Sequence, residues 1–446
     1  MVKRFDYKEA CKYIEDAAKL GSKPGLERIQ GLCDILDDPQ DDLRFIHIAG
    51  TNGKGSTACM IGSVLSKAGL RVGMYTSPAV FGIRDHYRIN GEIISESDYA
   101  DIVSAVAAAN EKLINNTGDG ATQFELETAV AFMYFSENHC DAVILECGMG
   151  GRDDATNIVK NKICCVFTSI SFDHMQYLGN TLSDIAHVKL GIITSDCPVI
   201  ALASCDEAAG VIKKRCDETG SRLYTVDPAV VSYTDDEDGI CVDCEEYSKV
   251  RVGLAGAYQA ENAALALRAL TVIDKEQLIE GCAIDESAVR CGLADVKWPF
   301  RFERIGEDPL IFVDGAHNED AALKLGKTIE DRLCGRRIIL VLGMFRDKEY
   351  EKVIAILAKC AHKIFTLTVP DANRALAADI IAECAGRYCS DVTVCKSIEE
   401  AYRLSSLAAK KAGGNCAVVA AGSLSYLNEF KQCGEKIQDE YTGQGI

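Results

Sequence analysis

Gly50, Gly53 and Gly55 surround Lys54 in the run GTNGKGS, the densest phosphate-binding chemistry in the chain. Glycines let backbone N–H groups converge on phosphate oxygens, and a lysine adds a point charge for the β and γ groups of a nucleotide. The run departs from the ordinary G-x-x-x-x-G-K-[ST] form, because Gly55 stands where the magnesium-binding hydroxyl usually follows the lysine. Ser56 is left as a phosphate contact, and a metal has to find its ligands elsewhere.

Glu146 supplies one candidate. It closes the apolar run DAVILE and opens the Gly-rich CGMGGRDDATN, so a hard oxygen ligand emerges where a phosphate-bridging Mg2+ would need one. Ser77, in TSP, is a second candidate, with a hydroxyl-stabilised turn before Pro78 as its alternative. Asp173 and His174 end CCVFTSISFDH, where an imidazole can act as a further metal ligand or serve a structural purpose. Arg152, Asp154, Thr156 and Asn157 follow Glu146 in a tight loop that can close over substrate or phosphate, or simply turn the chain. Lys189, in IAHVKLGI, would ordinarily be a surface lysine whose stem lies along apolar neighbours.

These residues need a scaffold that gathers them, and the alternation of apolar runs with helical periodicity provides it. Strands are expected at 45–49, 71–75, 142–146 and 163–169, with helices near 57–68, 98–113, 125–138 and from 182. Uniformly apolar strands between helices indicate a parallel sheet covered on both faces. Residues 227–252 read as a short antiparallel excursion before a helix at 259–270. After Trp298-Pro299 a second series starts, with strands at 310–313, 338–342, 363–367 and 416–421 and helices at 318–333 and 349–361. The fold class is therefore α/β in two domains, 1–297 and 298–446.

The 446 residues are 48% hydrophobic with a formal net charge of -19, which favours two globular domains and argues against a nucleic-acid partner. Anionic substrates must then be held by local positive groups. No run reaches the ~20 apolar residues of a membrane span, and MVKRFDYKEACKY lacks the apolar stretch of a secretory signal, so a cytoplasmic location is expected. The 21 cysteines are scattered through apolar runs and read as buried thiols. Cys241 and Cys244 have no second pair to complete a zinc site, so a turn or edge strand is expected there.

Taken in order, GTNGKGS, TSP, ECGMGGRDDATN, SFDHMQYLGNT, IAHVKLGI, WPFRFE and VDGAHN resemble the folylpolyglutamate synthases and dihydrofolate synthases of the Mur ligase superfamily. The likeness runs from about Gly25 to Ser423. It implies a P-loop ATPase domain, then a Rossmann-like domain, with the active site between them. In the family a serine like Ser77 and a glutamate like Glu146 hold one magnesium, a histidine like His174 holds a second, and a lysine like Lys189 is carbamylated. ATP contacts beyond Gly53, Lys54, Gly55 and Ser56 map onto Asn262, Arg301, Asp314 and His317. Pterin and folate contacts map onto the segment 21–29, including Gly25 and Leu26, and onto Phe124, which could instead be core. Lys348 and Ser423 fall where related ligases meet the amino acid.

The resemblance implies an ATP- and Mg2+-dependent ligase, most often a monomer, that adds L-glutamate to folate-type acids through an acyl phosphate. Domain closure on the nucleotide would exclude water from that intermediate. The peptidoglycan-building ligases, acting on a UDP-muramoyl acid, and a nucleotide-driven switch are the rival readings. Several positions depart from the family pattern. Ala79 and Asp85 fall where a His and a Glu are expected, Val188 replaces a glutamate, Leu190 a small residue, and Phe300 a glycine, which leaves substrate preference open.

Overall fold

The computed structural model describes residues 4–443 apart from 22, 195, 204, 237, 246 and 372. The chain divides into two compact units, one of residues 1–232, 242–251 and 261–296, the other of 233–241, 252–260 and 297–446. Contact thus groups 233–241 and 252–260 with the second unit, although they precede residue 298.

The first unit is built on an eight-stranded sheet. Its strands are β1 (Phe45–Ala49), β2 (Val72–Tyr75), β3 (Tyr87–Ile89), β4 (Glu92–Ile93), β5 (Ala142–Glu146), β6 (Lys162–Phe167), β7 (Val199–Leu202) and β8 (Leu223–Val226). Their order is β4-β3-β2-β5-β1-β6-β7-β8. From β2 across to β8 the strands pair in parallel, and β3 and β4 add an antiparallel edge. That hairpin is not among the strands expected from the sequence, because its strands are only three and two residues long, too short for a periodicity to register. The central strands β1 and β5 are buried at every position, as expected for strands covered on both faces.

The phosphate-loop helix runs Lys54–Lys67 and so begins three residues earlier than its apolar periodicity suggests. Gly53 is the reason: its φ of 89° reverses the chain immediately before the helix, a conformation that glycine adopts without steric cost. The region after β8 holds β9 (Ser232–Asp235), β10 (Ile240–Cys244) and β11 (Tyr247–Val252) in one three-stranded sheet, with Cys241 and Cys244 both in β10. All 21 cysteines are free thiols, most of them buried.

The second unit has a six-stranded sheet of β12 (Glu303–Glu307), β13 (Leu310–Val313), β14 (Arg337–Leu342), β15 (Lys363–Thr366), β16 (Val392–Val394) and β17 (Cys416–Ala421). The order is β12-β13-β17-β14-β15-β16, parallel except for β12 against β13. In both units the candidate residues gather where parallel strands end, the edge at which open α/β sheets hold ligands. Among the described residues no helix is long and apolar enough to cross a membrane.

The helix carrying Lys54 is seated by close backbone approach. A Cβ on Gly292, in the helix Glu286–Ala294, would lie 2.6 Å from Val64 Cα, and Ser63 Oγ donates to the Gly292 carbonyl at 2.7 Å. Gly292→Ala should therefore push the two helices apart and lower stability by about 1–3 kcal/mol. Gly210→Ala, in a helix where nothing lies within 4 Å of the new methyl, should raise stability by about 0.5–1 kcal/mol. Urea denaturation of both variants measures the opposite signs.

Candidate functional site

Gly50 and Gly53 let the phosphate loop take its path. A Cβ on Gly50 would fall 1.9 Å from Thr168 Oγ1, and one on Gly53 would fall 2.3 Å from Asn262 Oδ1. Asn262, buried in the helix Tyr258–Lys275, thus lies directly against the loop. The loop is also tied to the end of β6, with Thr51 N donating to Ser169 O at 2.7 Å and Thr51 Oγ1 to Ser171 O at 3.0 Å. Lys54 curls back over its own loop, donating to the carbonyls of Gly50 at 3.3 Å and Thr51 at 3.2 Å. Ser56 is buried in the first turn of the helix.

Glu146 stands at the end of β5, its carboxylate 3.8 Å from Lys54 Nζ and accepting from Ser77 N at 3.3 Å. The structure thus brings together Lys54, Glu146 and Ser77. Among the described residues no group of three or more His, Cys, Asp or Glu side chains is arranged to hold a metal. A hard cation here would take one carboxylate and complete its shell with a hydroxyl, water and phosphate oxygens, which is how Mg2+ is usually held in nucleotide sites. Glu146 and Ser77 fit that donor chemistry.

Lys189 is not a surface lysine. It is buried, and its Nζ donates to the Gly50 carbonyl at 2.8 Å. Burial, reinforced by the charge of Lys54, lowers its pKa to about 7, while Cys147, Asp173 and Asp154 oppose the shift. A buried amine with this pKa is substantially uncharged at neutral pH. His174, at φ 50°, precedes the short helix Met175–Leu178 and lies 3.7 Å from its own neighbour Asp173, with its side chain 38% exposed.

The loop after Glu146 is crowded from several sides. A Cβ on Gly148 would lie 2.5 Å from the Phe124 ring, and one on Gly151 would lie 2.5 Å from the Lys189 carbonyl. Asp154 and Asn157, in the loop that can close over substrate or phosphate, also bond to the loop itself and its surroundings. Asp154 accepts from Met149 N at 2.8 Å, Thr156 N at 3.1 Å and Thr156 Oγ1 at 2.5 Å. Asn157 Nδ2 donates to Arg152 O at 3.1 Å and Gly191 O at 3.2 Å, because a turn this tight leaves carbonyls that only a side-chain donor can reach. Arg152 is exposed and pairs with Asp153. Phe124 is half-buried, at the margin of the core rather than within it. Gly25, at φ 112°, and Leu26 lead into the helix Glu27–Ile35, and Ser22 of that segment lies outside the described residues.

In the second unit Arg301, Asp314 and His317 converge on Gly315. Its missing side chain makes room for the Arg301 guanidinium, since a Cβ would lie 2.7 Å from Nη1, and His317 Nδ1 lies 2.8 Å from the Gly315 carbonyl. Asp314 is buried, and burial raises its pKa, but it accepts from Tyr258 OH at 2.6 Å, Phe302 N at 2.8 Å and Ala316 N at 2.8 Å. Lys348 follows β14 and Ser423 follows β17, at the same sheet edge. Ser423 Oγ is buried and 2.9 Å from Ser425 Oγ.

The two units correspond to the domains of a Mur-type ligase. The Mur ligase middle domain matches residues 48–270, and the Mur ligase, glutamate ligase domain matches residues 300–424. A dihydrofolate synthase/folylpolyglutamate synthase of Bacillus subtilis is 34% identical over 96% of this chain and 98% of its own length. A folylpolyglutamate synthase of Lacticaseibacillus casei is 34% identical over 83% of this chain and 87% of its own length. The folylpolyglutamate synthase of Mycobacterium tuberculosis, solved with ADP and AMPPCP, matches with a TM-score of 0.87 and 27% identity over 97% of this chain and 99% of that one. The chain belongs to the folylpolyglutamate synthase and dihydrofolate synthase family, and it is a ligase.

Gly53→Ala would set a methyl against Asn262 in a conformation that only glycine accepts readily. Nucleotide affinity, measured by calorimetry, is expected to fall at least about tenfold, roughly 1.4 kcal/mol.

Proposed function

We propose that this chain joins L-glutamate to a folate-type carboxylic acid, dihydropteroate or a reduced folate, using ATP and releasing ADP and phosphate. The observation that carries the reading is the meeting of Lys54, Glu146 and Lys189 around one glycine loop: two lysines donate to the Gly50 carbonyl, and a strand-end carboxylate lies 3.8 Å from one of them. That combination suits transfer of a phosphoryl group to an acid better than simple hydrolysis, which needs neither the buried amine nor a second substrate.

In this reading an oxygen of the acid attacks the γ-phosphorus, ADP departs, and an acyl phosphate forms. Lys54 and the loop amides offset the charge that builds on the transferring group. The deprotonated amine of glutamate then attacks the acyl carbon and phosphate leaves, giving an amide. Two Mg2+ ions, held by Ser77 and Glu146 and by His174, would supply Lewis-acid stabilisation of the phosphate oxygens. Gly53, Gly55, Ser56 and Asn262 bind ATP in the first unit, and Arg301, Asp314 and His317 in the second. Gly25, Leu26 and Phe124 meet the folate, together with Arg152 and the loop that Asp154 and Asn157 hold in shape, while Lys348 and Ser423 meet glutamate. Cytoplasmic location and a monomeric state complete the reading, and the net charge of -19 disfavours nucleic acid and anionic membranes as partners.

Lys189 would react with carbon dioxide, because only the uncharged amine is nucleophilic and its pKa of about 7 leaves much of it in that form. The product is a carbamate and a released proton. With 13C-bicarbonate a carbamate resonance is expected in the wild type and absent in Lys189→Ala. Since the free amine fraction grows with pH, the signal should rise from pH 6 to pH 8; a pH-independent blank spectrum would count against carbamylation.

Function itself is tested by ADP release with glutamate and, in separate assays, dihydropteroate, tetrahydrofolate and a UDP-muramoyl acid. Turnover is expected with one or both folate-type acids, and turnover with the UDP-muramoyl acid alone would overturn the proposal. Lys54→Ala should lower it by about a thousandfold or more, with the folded state retained by circular dichroism.

A further inference from the structure

His47 is the only polar residue in β1, FIHIA, and it lies fully buried just before the loop that begins at Gly50. Its Nε2 is 2.9 Å from Thr156 Oγ1 and 3.2 Å from Cys147 Sγ, so it reaches the loop after Glu146 from within the sheet.

The donors along this chain of contacts can be assigned. Asp154 as a carboxylate can only accept, and it receives the Thr156 hydroxyl proton on Oδ1 at 2.5 Å. With that proton committed to Asp154, Thr156 Oγ1 turns a lone pair toward His47, which a protonated Nε2 satisfies, with Cys147 Sγ as a second acceptor at 3.2 Å. His47 Nδ1 agrees with this assignment: it is buried with no hydrogen-bond partner among the described residues, a place where an N–H would cost more than a bare lone pair. Burial and the nearby Lys162 charge push the imidazole pKa well down, so the ring stays neutral at physiological pH.

We infer that His47, as its Nε2–H tautomer, is a positioning residue that acts through Thr156 and Asp154 to hold the loop 148–157 against Phe124 and the backbone of Lys189. The route is continuous. Asp154 Oδ2 accepts from Met149 N, next to Gly148 under the Phe124 ring, and Arg152 N donates to Val188 O at 2.9 Å beside Lys189. The loop has few apolar anchors, and Gly148, Gly150 and Gly151 crowd its start, so a buried polar chain is what fixes its shape. The kinetic consequences of this assignment rest on the ligase reading, whereas the tautomer does not.

Two measurements test it on the full chain. In 15N-labelled protein the His47 imidazole, assigned by its disappearance in His47→Gln, should show a protonated Nε2, a bare Nδ1 and no titration between about pH 6 and pH 8. A protonated Nδ1, or a ring that titrates in that range, would overturn the inference. In kinetics, His47→Leu and Thr156→Val should each raise KM for the folate-type acid about tenfold or more while ATP affinity holds within about twofold, and His47→Gln, whose amide N–H replaces Nε2–H, should recover most of the loss. The His47→Leu/Thr156→Val pair should be no worse than either single change. An equal loss of ATP affinity, or no recovery in His47→Gln, would mean that His47 merely fills β1. Absence of folate-dependent turnover in the wild type would sink the ligase reading and leave the tautomer result standing.

Discussion

The first unit is organised around an amine that has been taken out of water without a carboxylate to receive it. Lys189 meets the Gly50 carbonyl, and among the described residues it forms no ion pair. A fully buried ammonium in that setting is costly, and the protein resolves the cost by lowering its pKa to about 7 rather than by pairing it. Lys54 sharpens the effect, since it donates to the same carbonyl and its charge disfavours charge on Lys189.

Holding Lys189 in place also explains the glycines that surround it. Gly151 approaches the Lys189 carbonyl, Gly191 lies under the backbone of Arg152, with a Cβ 2.4 Å from its Cα, and Gly150 lies against Val188. Side chains at these positions would open the gap between the loop and the helix Leu182–Lys189. Val188 and Leu190, which differ from the family pattern, fit the same packing. Val188 borders Gly150, and Leu190 is buried in the apolar cluster with Ile185 and Ile193. Their change in character therefore acts on the support of Lys189 and leaves its amine, the chemical group, unaltered.

Legibility in the sequence followed the range of each interaction. The phosphate loop, Glu146 and the strand ends were readable because a short apolar run followed by glycines states its own geometry within a few residues. Lys189 could be singled out only by resemblance, because nothing in IAHVKLGI tells that its helix turns that face inward. His47 was missed altogether. A histidine within an apolar strand gives no sign of its partner, which lies 109 residues away in Thr156. The bonds of Asp154 and Asn157 are hidden for the same reason: polar residues in a Gly-rich loop show no sign in sequence of the carbonyls and hydroxyls they serve. The β3–β4 edge escapes a sequence reading because its strands are three and two residues long, and the turn before them carries the buried polar residues Asp85 and His86, held by Arg88 and by the Thr76 carbonyl.

Phe300 shows how a departure from a family pattern can preserve the geometry the pattern encodes. It stands where relatives are expected to carry glycine, and its φ of 57° lies in the left-handed region that costs a non-glycine residue about 1–2 kcal/mol. Its ring is completely buried, and burying a phenylalanine returns roughly 1.5–3 kcal/mol, so the strain is offset locally. The backbone consequence is the one that matters for the site. The Phe300 carbonyl receives both Arg301 Nη1, at 3.0 Å, and Gly315 N, at 2.9 Å, and so fixes the guanidinium beside the turn that carries Asp314 and His317. A residue with ordinary extended backbone at 300 would turn that carbonyl away and release both donors. What selection has to keep at this position is therefore a backbone direction, and a buried aromatic ring is one way of stabilising it.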